Sequence, residues 1–167
     1  MKISARLLVA LFLTFSFAFA QNGKKAGVFD SAEIKKLAPA GFYFDGQSAP
    51  TQLRNTVGFR ASSGKVVLVG LLDTAGYASD VQQKFQGFFI TETKLNIDGS
   101  ELSPGEYGFG FSKEGKFVVM DVAAHDLLTV SAGNDEKLAH PVPLRMVEEA
   151  GSYKLYGGRK FVTIKAE

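Results

Sequence analysis

Short apolar runs divided by turn residues are the feature of this sequence that most limits its fold. From residue 41 onward, about eight to ten such runs are separated by Gly, Asp, Asn or Ser at intervals of roughly 8–12 residues. The run 106–112 (EYGFGFS) is the clearest, because its aromatic residues alternate with Gly108 and Gly110. The chain shows neither strands alternating with long helices nor a heptad repeat. We therefore predict an all-β fold, an antiparallel β-sandwich with a closed β-barrel as the alternative.

The remaining runs give the predicted strand order. Residues 84–97 are interpreted as one long β segment whose apolar face changes near Phe88, as a bulge or a bend between sheets would produce. Residues 131–150 are polar, contain two prolines, and are predicted to be mostly loop or edge. The predicted strands are 41–44, 56–61, 65–72, 84–97, 106–112, 116–122, 126–130, 152–156 and 160–166.

Two turn signals flank the glycine-aromatic strand. Asp98-Gly99 predicts a two-residue hairpin turn, since both positions tolerate positive φ. Pro104-Gly105 predicts a type II turn, with Gly at the position that requires positive φ. The glycine face of 106–112 carries no side chains, so a bulky neighbouring residue or a ligand must cover it. We favour the neighbouring residue.

The N-terminus has the composition of a secretory signal peptide. Lys2 and Arg6 precede an uncharged, mainly apolar run over 7–17, and a small-x-small site ends at Ala20. Cleavage there would make Gln21 the new N-terminus, and no later segment is long and apolar enough to span a membrane. The sequence therefore predicts an exported protein, periplasmic or secreted, with no membrane span after cleavage.

The predicted organisation has three parts. Residues 1–20 are the signal peptide, 21–40 form a leader with one short helix, and 41–167 form a single β domain. The helix is expected after Ser31, which would act as its N-cap, with Ile34 and Leu37 at helical spacing.

Charge and cysteine content exclude several function classes. Of 19 Lys+Arg and 17 Asp+Glu, the predicted leader carries two cations and no acids, so the rest of the chain is formally neutral. A nucleic-acid binder usually presents a basic stripe, and none is seen here. The chain contains no cysteine, which excludes disulfides, thiol nucleophiles and thiolate metal sites.

No motif points to a catalytic centre, a metal site or a cofactor. The two histidines, His125 and His140, are too few for a typical metal site. Asp121 and His125 lie four residues apart, a spacing that joins side chains on a helix but not along a strand. Arg60 is predicted to form a structural ion pair, with Asp73 or Glu92 as partner.

Tyrosines and one arginine form the candidate ligand-contacting surface. Tyr153, Tyr156 and Arg159 surround the last hairpin, which Gly157-Gly158 is expected to turn, and Tyr107 belongs to the glycine-aromatic strand. Such side chains could stack on a sugar or a peptide, and they are also common at sheet edges.

The run LNIDGSELSPGEYGFGF resembles a hairpin of exported bacterial β-proteins, including transthyretin-like and carboxypeptidase-regulatory-like sandwich modules. The matching positions are Gly99, Leu102, Pro104, Gly105 and Tyr107. The closing run YKLYGGRKFVTI is similar to the terminal hairpin of acidobacterial-type secreted proteins of unknown function. The resemblance implies a β-sandwich and export, and it implies no catalytic residue.

Three functions fit these observations. The first is an exported, non-catalytic binding or accessory module, which would use loops at one end of the sandwich or the glycine face of 106–112. Its partner could be a small molecule, a glycan or a protein, and the sequence indicates no oligomeric state. The second is a lipocalin-like barrel that carries a small apolar ligand. The third is a hydrolase whose site is not recognisable from the sequence.

Overall fold

A computed structural model of the chain describes residues 25–167. The predicted signal peptide and its cleavage site between Ala20 and Gln21 lie outside these residues. Within residues 25–167, no helix combines the length and apolar character needed to cross a bilayer.

The described chain is built from strands and two short helices. In chain order the elements are β1 (Gly27–Val28), α1 (Ser31–Leu37), β2 (Gly41–Phe44), β3 (Gln47–Arg60), β4 (Val66–Leu72), α2 (Ser79–Lys84), β5 (Gly87–Thr91), β6 (Leu95–Ile97), β7 (Ser100–Leu102), β8 (Gly105–Phe111), β9 (Lys116–Met120), β10 (Asp126–Ser131), β11 (Gly133–Asn134), β12 (Val142–Glu149), β13 (Ser152–Gly158) and β14 (Lys160–Ala166).

Two antiparallel sheets hold these strands. The large sheet has the order β1-β3-β4-β5-β8-β9-β10, with β2 paired to the start of β3. The small sheet has the order β12-β13-β14-β6-β7, with β11 also paired to β14. Each order begins and ends on an edge strand, so the described sheets stay open. The predicted β-sandwich is confirmed, and the closed barrel is not the fold of this domain.

The large sheet is buried on both faces. Its inner face packs against the small sheet through a core that includes Phe59, Phe89, Phe109, Leu155 and Ile164, all fully buried. Its outer face is covered by α1, β2 and α2 over a second, aromatic core. That core includes Phe42, Phe44, Phe85, Phe88 and Met120.

The predicted short helix is confirmed as α1, but its N-cap is Asp30 rather than Ser31. The Asp30 carboxylate accepts hydrogen bonds from the backbone N–H groups of Ala32 and Glu33, both at 2.8 Å. A carboxylate can accept two such bonds and also favours the positive end of the helix dipole. The helix packs against the large sheet through Ile34, which is buried.

The glycine face of β8 is covered by other parts of the chain, by a side chain at Gly108 and by the backbone of Lys84 at Gly110. The covering residue predicted for this face is therefore confirmed at Gly108. A Cβ added at Gly108 would overlap the ring of Phe44, which comes from β2. Phe44 in turn stacks on Phe85 with ring centroids 3.8 Å apart and planes inclined by 7°. The opposite face of β8 carries Phe109 into the core between the sheets.

The two turn predictions had different outcomes. Asp98 and Gly99 have φ values of 45° and 92° and join β6 to β7, so the two-residue turn is confirmed. The type II turn at Pro104-Gly105 is wrong, because Gly105 begins β8 and has no positive φ. There the Tyr107 hydroxyl donates a 3.0 Å hydrogen bond to the Ser103 carbonyl, a tyrosine corner between the two sheets. Gly105 makes room for that ring, since an added Cβ would lie 2.7 Å from the Tyr107 hydroxyl oxygen.

Two other predictions are confirmed in part: a bend between sheets occurs within 84–97, although at 92–94 rather than near Phe88, and 142–149 lie at a sheet edge. Residues 84–97 are not one strand: Lys84 ends α2, β5 lies in the large sheet and β6 in the small one. Phe88 and Phe89 are both fully buried because β5 has a core on each face, so the apolar face does not change there. Residues 142–149, expected to be loop or edge, form the edge strand β12, where Pro143 does not interrupt a central strand.

Candidate functional site

The structure places the four predicted ligand-contacting residues in different surroundings. The ring of Tyr153 is buried and stacks on Phe59, with ring centroids 3.6 Å apart and planes inclined by 12°. Tyr107 closes the corner before β8 and packs against the same core. Burial raises the pKa of both tyrosine hydroxyls. These two rings therefore contribute mainly to packing.

Tyr156 and Arg159 lie near the end of the sandwich formed by the β13–β14 hairpin. The Tyr156 ring is buried beside Phe161, with ring centroids 5.4 Å apart, and its hydroxyl lies 3.5 Å from a carboxylate oxygen of Asp135. Arg159 is exposed. Of the four predicted residues, Arg159 alone lines the large cleft at this end of the sandwich, while Tyr153 lines a separate cavity of about 190 Å³, so the structure does not bring the three tyrosines together with Arg159.

A cleft of about 690 Å³ opens between the two sheets at this end, and we call it the end cleft. Its floor is apolar and includes Leu72, Phe85 and Phe111, while Pro141 and Pro143 form one rim. The polar lining consists of four amide side chains, two cations and one hydroxyl, namely Gln52, Gln82, Gln86, Asn134, Arg159, Lys160 and Thr74.

Glycines in the β13–β14 hairpin determine how the two sheets meet at the end cleft. Gly157 has no room for a side chain, because an added Cβ would overlap the Phe111 ring from the large sheet. Gly158 has a φ of 64°, so the two-residue turn consists of Gly158 and Arg159 rather than the predicted Gly157-Gly158. A glycine with positive φ at the first central position is typical of a type II′ turn, and it leaves Arg159 at the second position.

Backbone carbonyls hold one end of the Arg159 side chain. A single terminal nitrogen, Nη1, donates to the carbonyls of Asp135, Glu136 and Leu138, at 3.4, 2.9 and 2.5 Å. The loop that supplies them is fixed to the hairpin by a 2.9 Å bond from the Asp135 backbone N–H to the Arg159 carbonyl. Within residues 25–167 no hydrogen bond involves Nε or Nη2 of Arg159.

The amide side chains on the large-sheet side are also held by the backbone. Gln86 donates to the carbonyl of Phe111 at 3.1 Å and accepts from the N–H of Phe111 at 3.0 Å. Gln82 donates to the Tyr77 carbonyl at 2.6 Å, and Gln52 donates to the Leu72 carbonyl at 2.9 Å. These bonds orient the amides and leave further hydrogen-bonding capacity on each.

The charged side chains that line the end cleft are all positive. None of its lining residues is an acid, and neither Arg159 nor Lys160 forms an ion pair within the described chain. The amino group of Lys160 donates to the Ser112 carbonyl instead. Glu114 lies near Lys160 outside the lining. A hydrogen bond from Ser112 is the main cause of its lowered pKa, and the positive charges of Lys160 and Lys113 add to the effect.

A turn brings His125 and Asp121 together, contrary to expectation. The Nδ1 atom of His125 lies 3.0 Å from Oδ2 of Asp121, because the tight turn between β9 and β10 folds the chain back on itself. The pKa of Asp121 is lowered, chiefly by the hydrogen bond from the His125 backbone N–H and then by the His125 side chain. Both residues are exposed or nearly so, and residues 25–167 hold no group of three or more His, Asp or Glu suited to a metal ion.

Arg60 is paired within the structure, but with neither predicted partner. Its Nη2 lies 3.8 Å from Oε1 of Glu33 in α1, and its Nη1 donates to the Gly64 carbonyl at 3.1 Å. The side chain is 8% exposed and lies over the Phe29 ring. Glu92 instead accepts a 2.8 Å bond from the backbone N–H of Val66.

Sequence reasoning found Arg159 but missed the rest of the end cleft. Gln82 and Gln86 are four residues apart, and Lys160 follows Arg159 directly, which are the available local signals. Gln52 and Asn134 carry no such signal, because only the packing of the two sheets brings them to the same place. Comparison with known proteins found no matching family model, no similar curated protein and no similar solved structure.

Proposed function

We propose that this chain is an exported, non-catalytic binding module whose ligand occupies the end cleft. The observation that carries this proposal is the cleft itself, a concavity of about 690 Å³ with an apolar floor and seven polar side chains around it. Ligand sites are commonly concave and largely apolar, with a few placed polar groups, and this volume falls within the usual range of about 300–1,000 Å³.

The filled interior supports a site at the end of the sandwich rather than inside it. Phe109 and Phe117, on adjacent strands of the large sheet, pack side by side against the small sheet with ring centroids 5.9 Å apart, and both are fully buried. The glycine face of β8, the other surface considered for binding, is occupied by Phe44 at Gly108 and by the Lys84 backbone at Gly110. The end loops are then the part of the domain best suited to hold a ligand.

The chemistry of the lining supports binding rather than catalysis. The titratable residues that line the end cleft are Arg159 and Lys160, and Thr74 is its one hydroxyl side chain. General acid–base or nucleophilic catalysis would normally place a histidine, a carboxylate or an activated nucleophile there.

Native mass spectrometry of the protein purified from its own organism tests the proposal. We expect an additional mass that is lost on denaturation, is absent from Asn134→Trp, and remains in Lys65→Trp. Asn134 lines the cleft, whereas Lys65 is exposed at the opposite end of β4. A bound mass that both variants retain, or that both lose, would contradict a site in the end cleft.

Export is tested separately by the mass of the protein recovered from outside the cytoplasm. The signal-peptide interpretation predicts a chain that begins at Gln21. Recovery of the full chain, beginning at Met1, in the cytoplasmic fraction would contradict it.

A further inference from the structure

We infer that the end cleft binds a carboxylated saccharide, with Arg159 as the carboxylate-binding residue. This inference rests on the proposed function, since it names the ligand class of the same site. Three observations support it. Hydrogen bonds fix the orientation of the Arg159 guanidinium, the charged residues that line the cleft are all positive, and four amide side chains line the cleft.

The hydrogen bonds of Arg159 leave one edge of the guanidinium for a ligand. All three carbonyl contacts converge on Nη1, so the group is fixed in orientation by bonds that use only one end of it. The remaining edge presents the N–H groups of Nε and Nη2 in parallel. That pair matches the two oxygens of a carboxylate, and a bidentate contact of this kind is stronger and more directional than a single hydrogen bond.

Arg159 and Lys160 form no ion pair within residues 25–167, a property they share with strand residues such as Arg54 and Arg145. Lys84, Lys94 and Lys154 each form an ion pair with a carboxylate 2.5–3.6 Å away. Arg159 and Lys160 are consecutive, border one concavity and have carbonyl partners only, which satisfy donors without cancelling charge. Glu114 interacts with Lys160 from outside the cleft, and an anionic ligand would supply the counter-charge that no lining residue gives to Arg159.

The amide side chains favour a polyhydroxylated ligand over a simple anion. Each amide carries both donors and an acceptor, and a sugar hydroxyl likewise donates one hydrogen bond and accepts others. The cleft volume of about 690 Å³ greatly exceeds that of one oxyanion. Gln82, Gln86 and Asn134 would bind ring hydroxyls, while the exposed prolines of the rim pack against the apolar faces of the rings.

Calorimetric titration with a galacturonic acid trisaccharide tests the inference. The first control is the methyl-esterified trisaccharide, which keeps the rings and hydroxyls but has no charge. The second is inorganic phosphate, an anion without hydroxylated rings. The protein variants are Arg159→Gln, Arg159→Lys and Asn134→Trp, with Lys65→Gln as the matched loss of one exposed cation at the far end. Circular dichroism melting of every variant establishes that it remains folded.

We expect the acid to bind, and the ester and Arg159→Gln each to weaken binding by about 10- to 100-fold, as for loss of a charged hydrogen-bond pair. Arg159→Lys should bind more tightly than Arg159→Gln but less tightly than the parent protein, because a lysine keeps the positive charge but lacks the two parallel N–H groups of the guanidinium. Lys65→Gln should bind as the parent protein does. Equal binding of acid and ester, or an Arg159→Gln loss no larger than that of Lys65→Gln, would overturn the role of the carboxylate.

Two other outcomes separate this inference from the proposed function. If phosphate binds as tightly as the trisaccharide, the saccharide is wrong and the site is a general anion site. If no trisaccharide binds, the inference is wrong, but a bound mass that depends on Asn134 in the native spectrum still supports the end cleft as a binding site.

Discussion

The ring of Phe44 occupies the space that a side chain at Gly108 would fill. These residues lie 64 positions apart and belong to different layers, since β2 packs over the outer face of the large sheet and β8 is one of its central strands. The contact explains the glycine at position 108, and the approach of the Lys84 backbone explains the second glycine of this strand, Gly110.

The first prediction concerns this contact. Gly108→Ala should lower the free energy of unfolding by about 1–3 kcal/mol, because an added methyl group overpacks a filled core. Chemical denaturation measures the change. The double variant Phe44→Leu/Gly108→Ala should lose less free energy of unfolding than the two single variants lose in total. If the two losses simply add, the side chains do not compete for one space.

The second prediction concerns the tyrosine corner. Tyr107→Phe removes the hydroxyl that donates to Ser103 and should cost about 0.5–1.5 kcal/mol of stability. Tyr43→Phe is the matched control, since Tyr43 is 56% exposed and should lose nothing measurable. Equal unfolding midpoints for the two variants would mean that the corner hydrogen bond contributes little.

A third prediction concerns the acid stability of the β9–β10 turn. The pKa of Asp121 is lower in the folded chain than its unfolded value of about 3.9, so its stabilising effect is complete above that value and is lost as the pH falls through the folded pKa. Asp121→Asn should therefore reduce stability at neutral pH and flatten the loss of stability below about pH 4.

Urea denaturation between pH 2 and pH 7 measures this effect. Glu106→Gln serves as the control, because Glu106 is exposed and no hydrogen bond involves its side chain within residues 25–167. If Asp121→Asn and Glu106→Gln give parallel pH profiles, the turn does not hold the Asp121 carboxylate in its ionised form.

The fourth prediction concerns the buried Arg60. Within residues 25–167 its Nε and Nη2 have no hydrogen-bond partner, and the nearest carboxylate oxygen, on Glu33, is 3.8 Å away. A buried charge with such incomplete partners is expensive, so Arg60→Met should leave stability unchanged or raise it by up to about 2 kcal/mol. Arg60→Ala should be less stable than Arg60→Met, because it also removes the packing of the side-chain stem. Thermal melts compare the two, and a Met variant no more stable than the Ala variant would contradict this account.

The end cleft shows where reasoning from sequence stops. Arg159 is recognisable because a glycine-rich hairpin turn displays it, and turn chemistry is local. Gln52, Gln82 and Asn134 belong to three separate parts of the chain and carry no shared motif. Their meeting depends on the relative position of the two sheets, which no short stretch of sequence encodes.

The same distinction applies to the tyrosines. Tyrosine is a residue type that is common in binding surfaces, but the rings of Tyr153 and Tyr107 pack against the core between the sheets. Alternating residue types in a sequence show which side chains share a face of a strand. They do not show which of the two faces packs against the other sheet.

The amino-acid sequence alone determined the β class, the presence of a short helix that includes Ile34 and Leu37, and the two-residue turn at Asp98-Gly99, because side-chain periodicity and allowed φ values act over a few neighbouring residues. Only the tertiary structure decided that Gly105 is needed for space rather than for positive φ, that Phe44 covers Gly108, and that four amides and two cations surround one cleft. Those outcomes depend on close packing between residues that are far apart in the chain. The side chains of one layer determine how large the side chains of the layer packed against it can be.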